Sequence, residues 1–155
     1  MKEYVYSRQA AVDYARKWAF DRNPAYYNFD QIGGDCTNFV SQCLFAGWRE
    51  MDFTPTYGWY YRSLSDRAPA WTGVEYLYRF LIGRKAGTVV ELQALRPGDV
   101  IQLQNSAGRF YHTLIVTKVS PVVLVAAHSF DALDRALESY DYQSIRGIRI
   151  GPLQI

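Results

Sequence analysis

The side chains best suited to nucleophilic chemistry at neutral pH are few in this chain: two cysteines, Cys36 and Cys43, and two histidines, His112 and His128. Thiol catalysis needs a thiol that gives up its proton, an imidazole to take it, and a third polar group to orient that imidazole. Cys36 lies in GGDCTNFVSQCLFAG, residues 33–47, directly after Asp35, a capping-type residue, and two glycines. A cysteine at a helix start meets unpaired N–H groups and the positive end of the dipole, which favour thiolate, although the neighbouring Asp35 carboxylate competes for that field. Gly33 and Gly34 leave a path to the sulfur clear of side chains. The plainer reading of a free cysteine is a small buried apolar residue, and Cys43 fits it, since it shares an apolar helical stripe with Phe39, Val40 and Leu44.

The histidines lie on consecutive predicted strands. Alternation puts Phe110, His112, Leu114 and Val116 on one face, and Val122, Leu124, Ala126 and His128 on one face of the next. A turn centred on Ser120 keeps the apolar faces on one side of the sheet. It also sets His112 directly opposite His128, with Cβ atoms about 5 Å apart. Either histidine alone reads as a structurally satisfied core residue; the pairing turns both toward catalysis. The set is that of a cysteine acyl hydrolase: Cys36 attacks a carbonyl, His112 carries the proton and His128 fixes the tautomer. The oxyanion would meet the Cys36 N–H and a second donor, for which Gln31 is a candidate. Asp131 and Ser129 are alternatives to His128, and Asp35 belongs with the cap.

These residues need a frame of helices followed by strands. SRQAAVDYARKWAF spaces Ala11, Tyr14, Ala15 and Trp18 along one helical face behind a Ser7 N-cap, and Pro24 lies beyond its end. The cysteine block predicts a second helix capped by Asp35 and stopped by Gly47. Thr72 and Glu75 have capping-box spacing ahead of Val74, Leu77, Tyr78 and Leu81, with Gly83 as the stop. In the second half VIQL, FYHTLIVTKV, VVLVAAH and IRGIRI are β-branched runs divided by RPGD, NSAG and SP. Helices first and antiparallel strands after predict an α+β domain with helices packed on one face of a sheet.

Composition narrows the partners. With 155 residues, 49% apolar and 21% charged, the chain has the length and make-up of one folded domain, residues 1–155. A net charge of +2 without a basic cluster argues against nucleic acid. No apolar run reaches the roughly 20 residues of a membrane span. MKEYVYSRQA has no signal-peptide core, so the chain as written reads as cytoplasmic. Two histidines without CxxC or HExxH give no metal site, and no cofactor is expected. Seven helical steps from Cys36 to Cys43 span about 10.5 Å, beyond the roughly 7 Å reach of a disulfide, so both thiols are expected free. The chain is expected to act as a monomer.

GGDCTNFVSQCLFAG resembles the signature of the bacterial putative amidase domain family, whose members carry a DCTNFVSQ-type block. The segment from Tyr6 to Phe29, GWYY, PAWTGVEYLYRFL, and LRPGDVIQL followed by YHTLIVT extend the resemblance over nearly the whole chain. The last two are similar to strands of the wider NlpC and CHAP groups of papain-like amidases and peptidases. The resemblance implies a papain-like α+β fold with Cys36 as nucleophile, His112 as base and His128 as third residue. It implies an amide substrate in peptidoglycan, either stem peptide or sugar–peptide link; Trp48, Trp59, Tyr60 and Trp71 are candidates to line its groove, with an aromatic-rich packing loop as the equal alternative. Relatives of this kind are often exported. Acyl transfer to an amine would use the same three residues, whereas a cell-wall-binding module without turnover would not need them.

Overall fold

A computed structural model describes residues 1–155. Two long N-terminal helices come first, α1 (Arg8–Trp18) and α2 (Cys36–Trp48). A short hairpin, β2 (Tyr61–Ser63) and β3 (Asp66–Arg67), leads to α3 (Pro69–Thr72) and α4 (Val74–Gly83). The strands β4 (Gly87–Val90), β5 (Val100–Gln104), β6 (Phe110–Lys118), β7 (Leu124–Ala127), β8 (Ala132–Ala136) and β9 (Ser144–Ile150) form one sheet in the order β4-β9-β5-β6-β7-β8. Every pairing in it is antiparallel. A ribbon of β1 (Glu3–Tyr4) and β10 (Leu153–Gln154) joins the chain ends. The α+β arrangement expected from the sequence is therefore present, with the helices on one side of the sheet.

α1 starts as predicted, with Ser7 Oγ accepting from the Ala10 N–H at 3.1 Å. Its small buried residues Ala11 and Ala15 let it pack closely on α2. α2 is almost wholly buried, as a helix between another helix and a sheet must be, and its polar Thr37, Asn38, Ser41 and Gln42 are buried with its apolar residues. It runs one residue past Gly47, to Trp48, and closes on left-handed Arg49, whose N–H reaches the Phe45 carbonyl at 2.7 Å. The Thr72–Glu75 capping box does not form. Gly73 separates α3 from α4, Thr72 Oγ1 accepts from Arg67 at 3.1 Å, and Glu75 pairs with Arg146 at 2.7 Å.

Both faces of the sheet are buried. On the helix side Val100, Ile115, Ala126 and Ile148 join Phe39, Val40, Cys43 and Leu44. On the far side Ile101, Leu103, Leu114, Val116, Val125 and Ala127 pack with Leu95 and Leu137. This two-sided core corrects the predicted register. Ile115 lies opposite Ala126 and Val116 opposite Val125, one residue away from a turn centred on Ser120. A one-residue slip reverses the faces, so His112 belongs to the same side as Leu114 and Val116, away from the helices. The RPGD turn ties the layers together. Buried Asp99 takes Arg8 at 2.6 Å and the N–H groups of Arg96 and Ile150, while Gly98, at φ +91°, lets the Arg8 backbone approach.

Candidate active site

Cys36 is the first residue of α2 and is 9% exposed. Its sulfur lies 3.8 Å from Thr37 Oγ1 and is turned toward the backbone of Thr113, the residue after His112. The ladder between β6 and β7 stops at Ile115 and Ala126, so the backbone of His112 and Thr113 has no strand partner on that side. The start of α2 fills that gap. A polar chain fixes it there: Thr37 Oγ1 and Thr113 Oγ1 are 2.8 Å apart, and Gln102 Nε2 lies 3.3 Å from Thr113 Oγ1 and 2.9 Å from the Val74 carbonyl. Burial pushes the Cys36 thiol up; the Thr113 N–H, the Thr37 hydroxyl and the Thr37 N–H pull it partly back, and the Asp35 carboxylate pushes it up again. Both cysteines are free, and Cys43 is fully buried in the core.

Asp35, fully buried, does not cap α2 with its side chain. Its carboxylate turns back instead, accepting from the Phe29 N–H at 2.8 Å, Asn38 Nδ2 at 2.9 Å and His128 Nδ1 at 2.6 Å. Burial alone would raise its pKa, but the bonds from His128, Asn38 and Phe29 outweigh it and hold the carboxyl below its usual range. The His128 ring stacks on Phe39 with centroids 3.9 Å apart, and its Nε2 lies 2.8 Å from the Trp18 carbonyl. Arg22 closes the cluster: it donates to both Asp131 oxygens at 2.9 Å and to Asp30 at 2.9 Å, and its Nε lies 3.4 Å from Asp35 Oδ2 without hydrogen-bond geometry. Ser129, at φ +59°, accepts from the Asp35 N–H at 3.0 Å.

The predicted opposition of the two histidines is therefore not observed. The register slip puts them on opposite faces, and His128 is bound to Asp35 and Trp18 rather than to His112. The neighbours of His112 are aromatic, with Tyr111 and Tyr140 at ring-centroid distances of 5.9 and 6.0 Å. It is 8% exposed, and burial together with the charge of Arg135 pushes it down to about 4. Arg135 itself lies 3.7 Å from the Tyr140 ring centre. Asp131 is held by Arg22 and Ser129 by Asp35, so neither faces His112. Gln31 is exposed in the turn before the glycines.

The expected aromatic groove is core. Trp59 and Trp71 are fully buried and Trp48 nearly so; their Nε1 atoms donate to Ser41, Asn38 and the Gly151 carbonyl. Large rings whose single polar atom finds a partner inside are packing elements. Only Tyr60 stays half-exposed, against Phe53 and Arg62. Arg22 and the Thr37–Thr113–Gln102 chain escaped sequence reasoning, because their partners come from distant segments and no spacing links them. No group of three or more His, Cys, Asp or Glu side chains could hold a metal ion. No helix is long and apolar enough to cross a membrane.

A family model described as a putative amidase domain matches residues 5–150. The chain is 38% identical over 140 residues to the uncharacterized protein YhbB of Bacillus subtilis strain 168, covering 84% of this chain and 44% of that protein. It is 32% identical over 142 residues to the uncharacterized protein YjcM of the same strain, covering 83% of this chain and 32% of that one. The chain thus spans less than half the length of these relatives. No solved structure matches it.

Proposed function

The chain belongs to the putative amidase domain family, and from that premise we propose a cysteine-dependent amide hydrolase of papain-like type, a single catalytic unit with Cys36 as nucleophile and His112 as base. Cys36 Sγ attacks the amide carbonyl carbon while its proton passes to a ring nitrogen of His112. That proton then goes to the departing amine as the C–N bond breaks, leaving a thioester. Water, deprotonated by the same ring, attacks the thioester and releases acid and thiol. The Cys36 N–H, an unpaired first-turn donor of α2, faces the developing oxyanion.

One observation carries the reading: Cys36 opens α2, and that helix start is pinned to Thr113, the residue that follows His112, by the 2.8 Å contact between Thr37 Oγ1 and Thr113 Oγ1. Burial keeps the thiol protonated and the imidazole neutral at pH 7. The proton transfer therefore accompanies attack, rather than starting from a preformed thiolate–imidazolium pair. His128 acts through Asp35: it holds the carboxylate that fixes the turn before Cys36, as a positioning residue.

Resemblance to the NlpC and CHAP groups points the substrate toward peptidoglycan amides. The test is digestion of purified muropeptides with products read by mass spectrometry. Wild type and Cys43→Ala should cleave them, Cys36→Ala and His112→Ala should not, and His128→Ala should retain residual turnover. Full activity in Cys36→Ala would overturn the cysteine mechanism; activity retained in His112→Ala but abolished in His128→Ala would reassign the base.

A further inference from the structure

With the tryptophans buried, substrate must be held elsewhere. Two adjoining cavities open along α3 and α4, sharing Tyr76. One has a volume of about 440 Å³ and is lined by Arg67, Pro69, Thr72, Gly73 and Tyr76. The other, about 370 Å³, carries Arg79 and Arg84. No carboxylate lines either one. Asp66 lies 3.6 Å from Arg62 and Glu75 holds Arg146, so neither pairs with Arg67, whereas in the second cavity Arg84 is already met by Asp52 at 3.0 Å.

Arg67 is held in place but left uncompensated. Its Nε donates to Thr72 Oγ1 at 3.1 Å, its Nη1 donates to the Leu64 carbonyl, and its guanidinium lies 4.6 Å above the centre of the Phe29 ring. Those contacts fix the plane of the fork, and Nη2 makes no hydrogen bond within the chain. Two connections lead from this cleft to the nucleophile. Phe29, under Arg67, donates its N–H to Asp35, the residue before Cys36. The Val74 carbonyl, next to Gly73, accepts from Gln102, whose amide also meets the hydroxyl of Thr113, and that hydroxyl lies 2.8 Å from Thr37 Oγ1, on the residue after Cys36.

We propose that this cleft is a substrate subsite in which Arg67 binds a carboxylate of the molecule whose amide Cys36 attacks. A guanidinium with fixed plane and one free terminal nitrogen matches a planar singly charged oxyanion, and a cation without a partner carboxylate in an open cleft is the feature such a ligand completes. Tyr76 offers an apolar face between the two cavities for the chain that carries the carboxylate. The proposal deepens the amide-hydrolase reading and rests on it for the reacting end of the substrate only.

The test measures binding without turnover, on full-length Cys36→Ser protein by NMR titration, with N-acetyl-alanyl-alanine and its C-terminal amide as probes. The acid should bind roughly tenfold more tightly than the amide, the ratio expected for a hydrogen bond to a charged group. Arg67→Gln should erase that preference and Arg67→Lys should keep part of it. Tyr76→Ala, at an exposed position, should weaken both probes alike while leaving the preference. Equal affinities for acid and amide, no saturable binding of the acid, or a preference that survives Arg67→Gln would overturn the subsite. Because these measurements need no catalysis, failure of wild-type protein to cleave any amide would count against the hydrolase reading and not against this one.

Discussion

Burial of His112 makes a prediction with a definite sign. In the unfolded chain this imidazole titrates at about 6.5. In the folded chain, desolvation and Arg135 push it down to about 4. Between those values the unfolded state binds a proton that the folded state refuses, so stability contributed by His112 is complete above about pH 6.5 and is lost as pH falls toward 4. The gap is about 2.5 pH units at 1.36 kcal/mol each, or about 3 kcal/mol. The residue is buried, so little solvent screening reduces that figure.

Urea unfolding followed by tryptophan fluorescence between pH 4 and 8 would read it, with wild type compared to His112→Leu. Other groups that titrate in this range are common to both proteins and cancel in the difference. The variant should lose less stability than wild type on acidification, by about 3 kcal/mol over the full range. Parallel curves, within about 0.5 kcal/mol, would refute the buried neutral imidazole. The same burial sets the pH–rate profile: the acid limb assigned to the base should fall near pH 4 rather than near 6.5.

Other perturbations test the surroundings. Iodoacetamide should label Cys36 before fully buried Cys43, with a pH midpoint above the ordinary thiol value because burial raises it; equal rates would remove Cys36 from consideration. His128→Ala leaves the buried Asp35 without its closest donor and removes the ring stacked on Phe39, so chemical denaturation should show a loss of about 3 kcal/mol. A loss below about 1 kcal/mol would show that the pair does not hold the turn. Trp71→Phe should cost about 2 kcal/mol by orphaning Asn38 Oδ1 in the core, and a melting temperature unchanged from wild type would refute that role for the bond.

The parts of the fold that could be read in advance were those encoded locally. Ser7 caps α1, Asp35 and Cys36 open α2, Gly83 ends α4, and four of the apolar runs lie in strands of the main sheet. Elements made by long-range pairing were invisible. β4 and β8 are short and partly exposed, β1 and β10 exist only because the chain ends meet, and the Thr72–Glu75 spacing lost to partners supplied by Arg67 and Arg146. The tryptophans stayed open between groove and core because composition counts aromatic rings and cannot say which find an internal acceptor for Nε1. Cys36 was legible because a helix start is a local feature.

The register of His112 failed for a reason that bears on mechanism. Alternation identifies a face only when one side of a strand is polar, and T-L-I-V is apolar on both because helices cover one side of the sheet and the Leu95–Leu137 cluster the other. The histidines then cannot form the direct pair that a one-sided sheet would allow. His128 lies on the helix side, where a buried carboxylate at the start of α2 needs a donor, and it supplies one. His112 lies beyond the last β6–β7 pair, where the strand edge is open and the start of α2 already meets the neighbouring Thr113 through Thr37. A histidine with both ring nitrogens engaged can hold a turn but has no free site for a substrate proton. The one without such bonds has that capacity, which is the reason for proposing the acid–base role for His112 and the positioning role for His128.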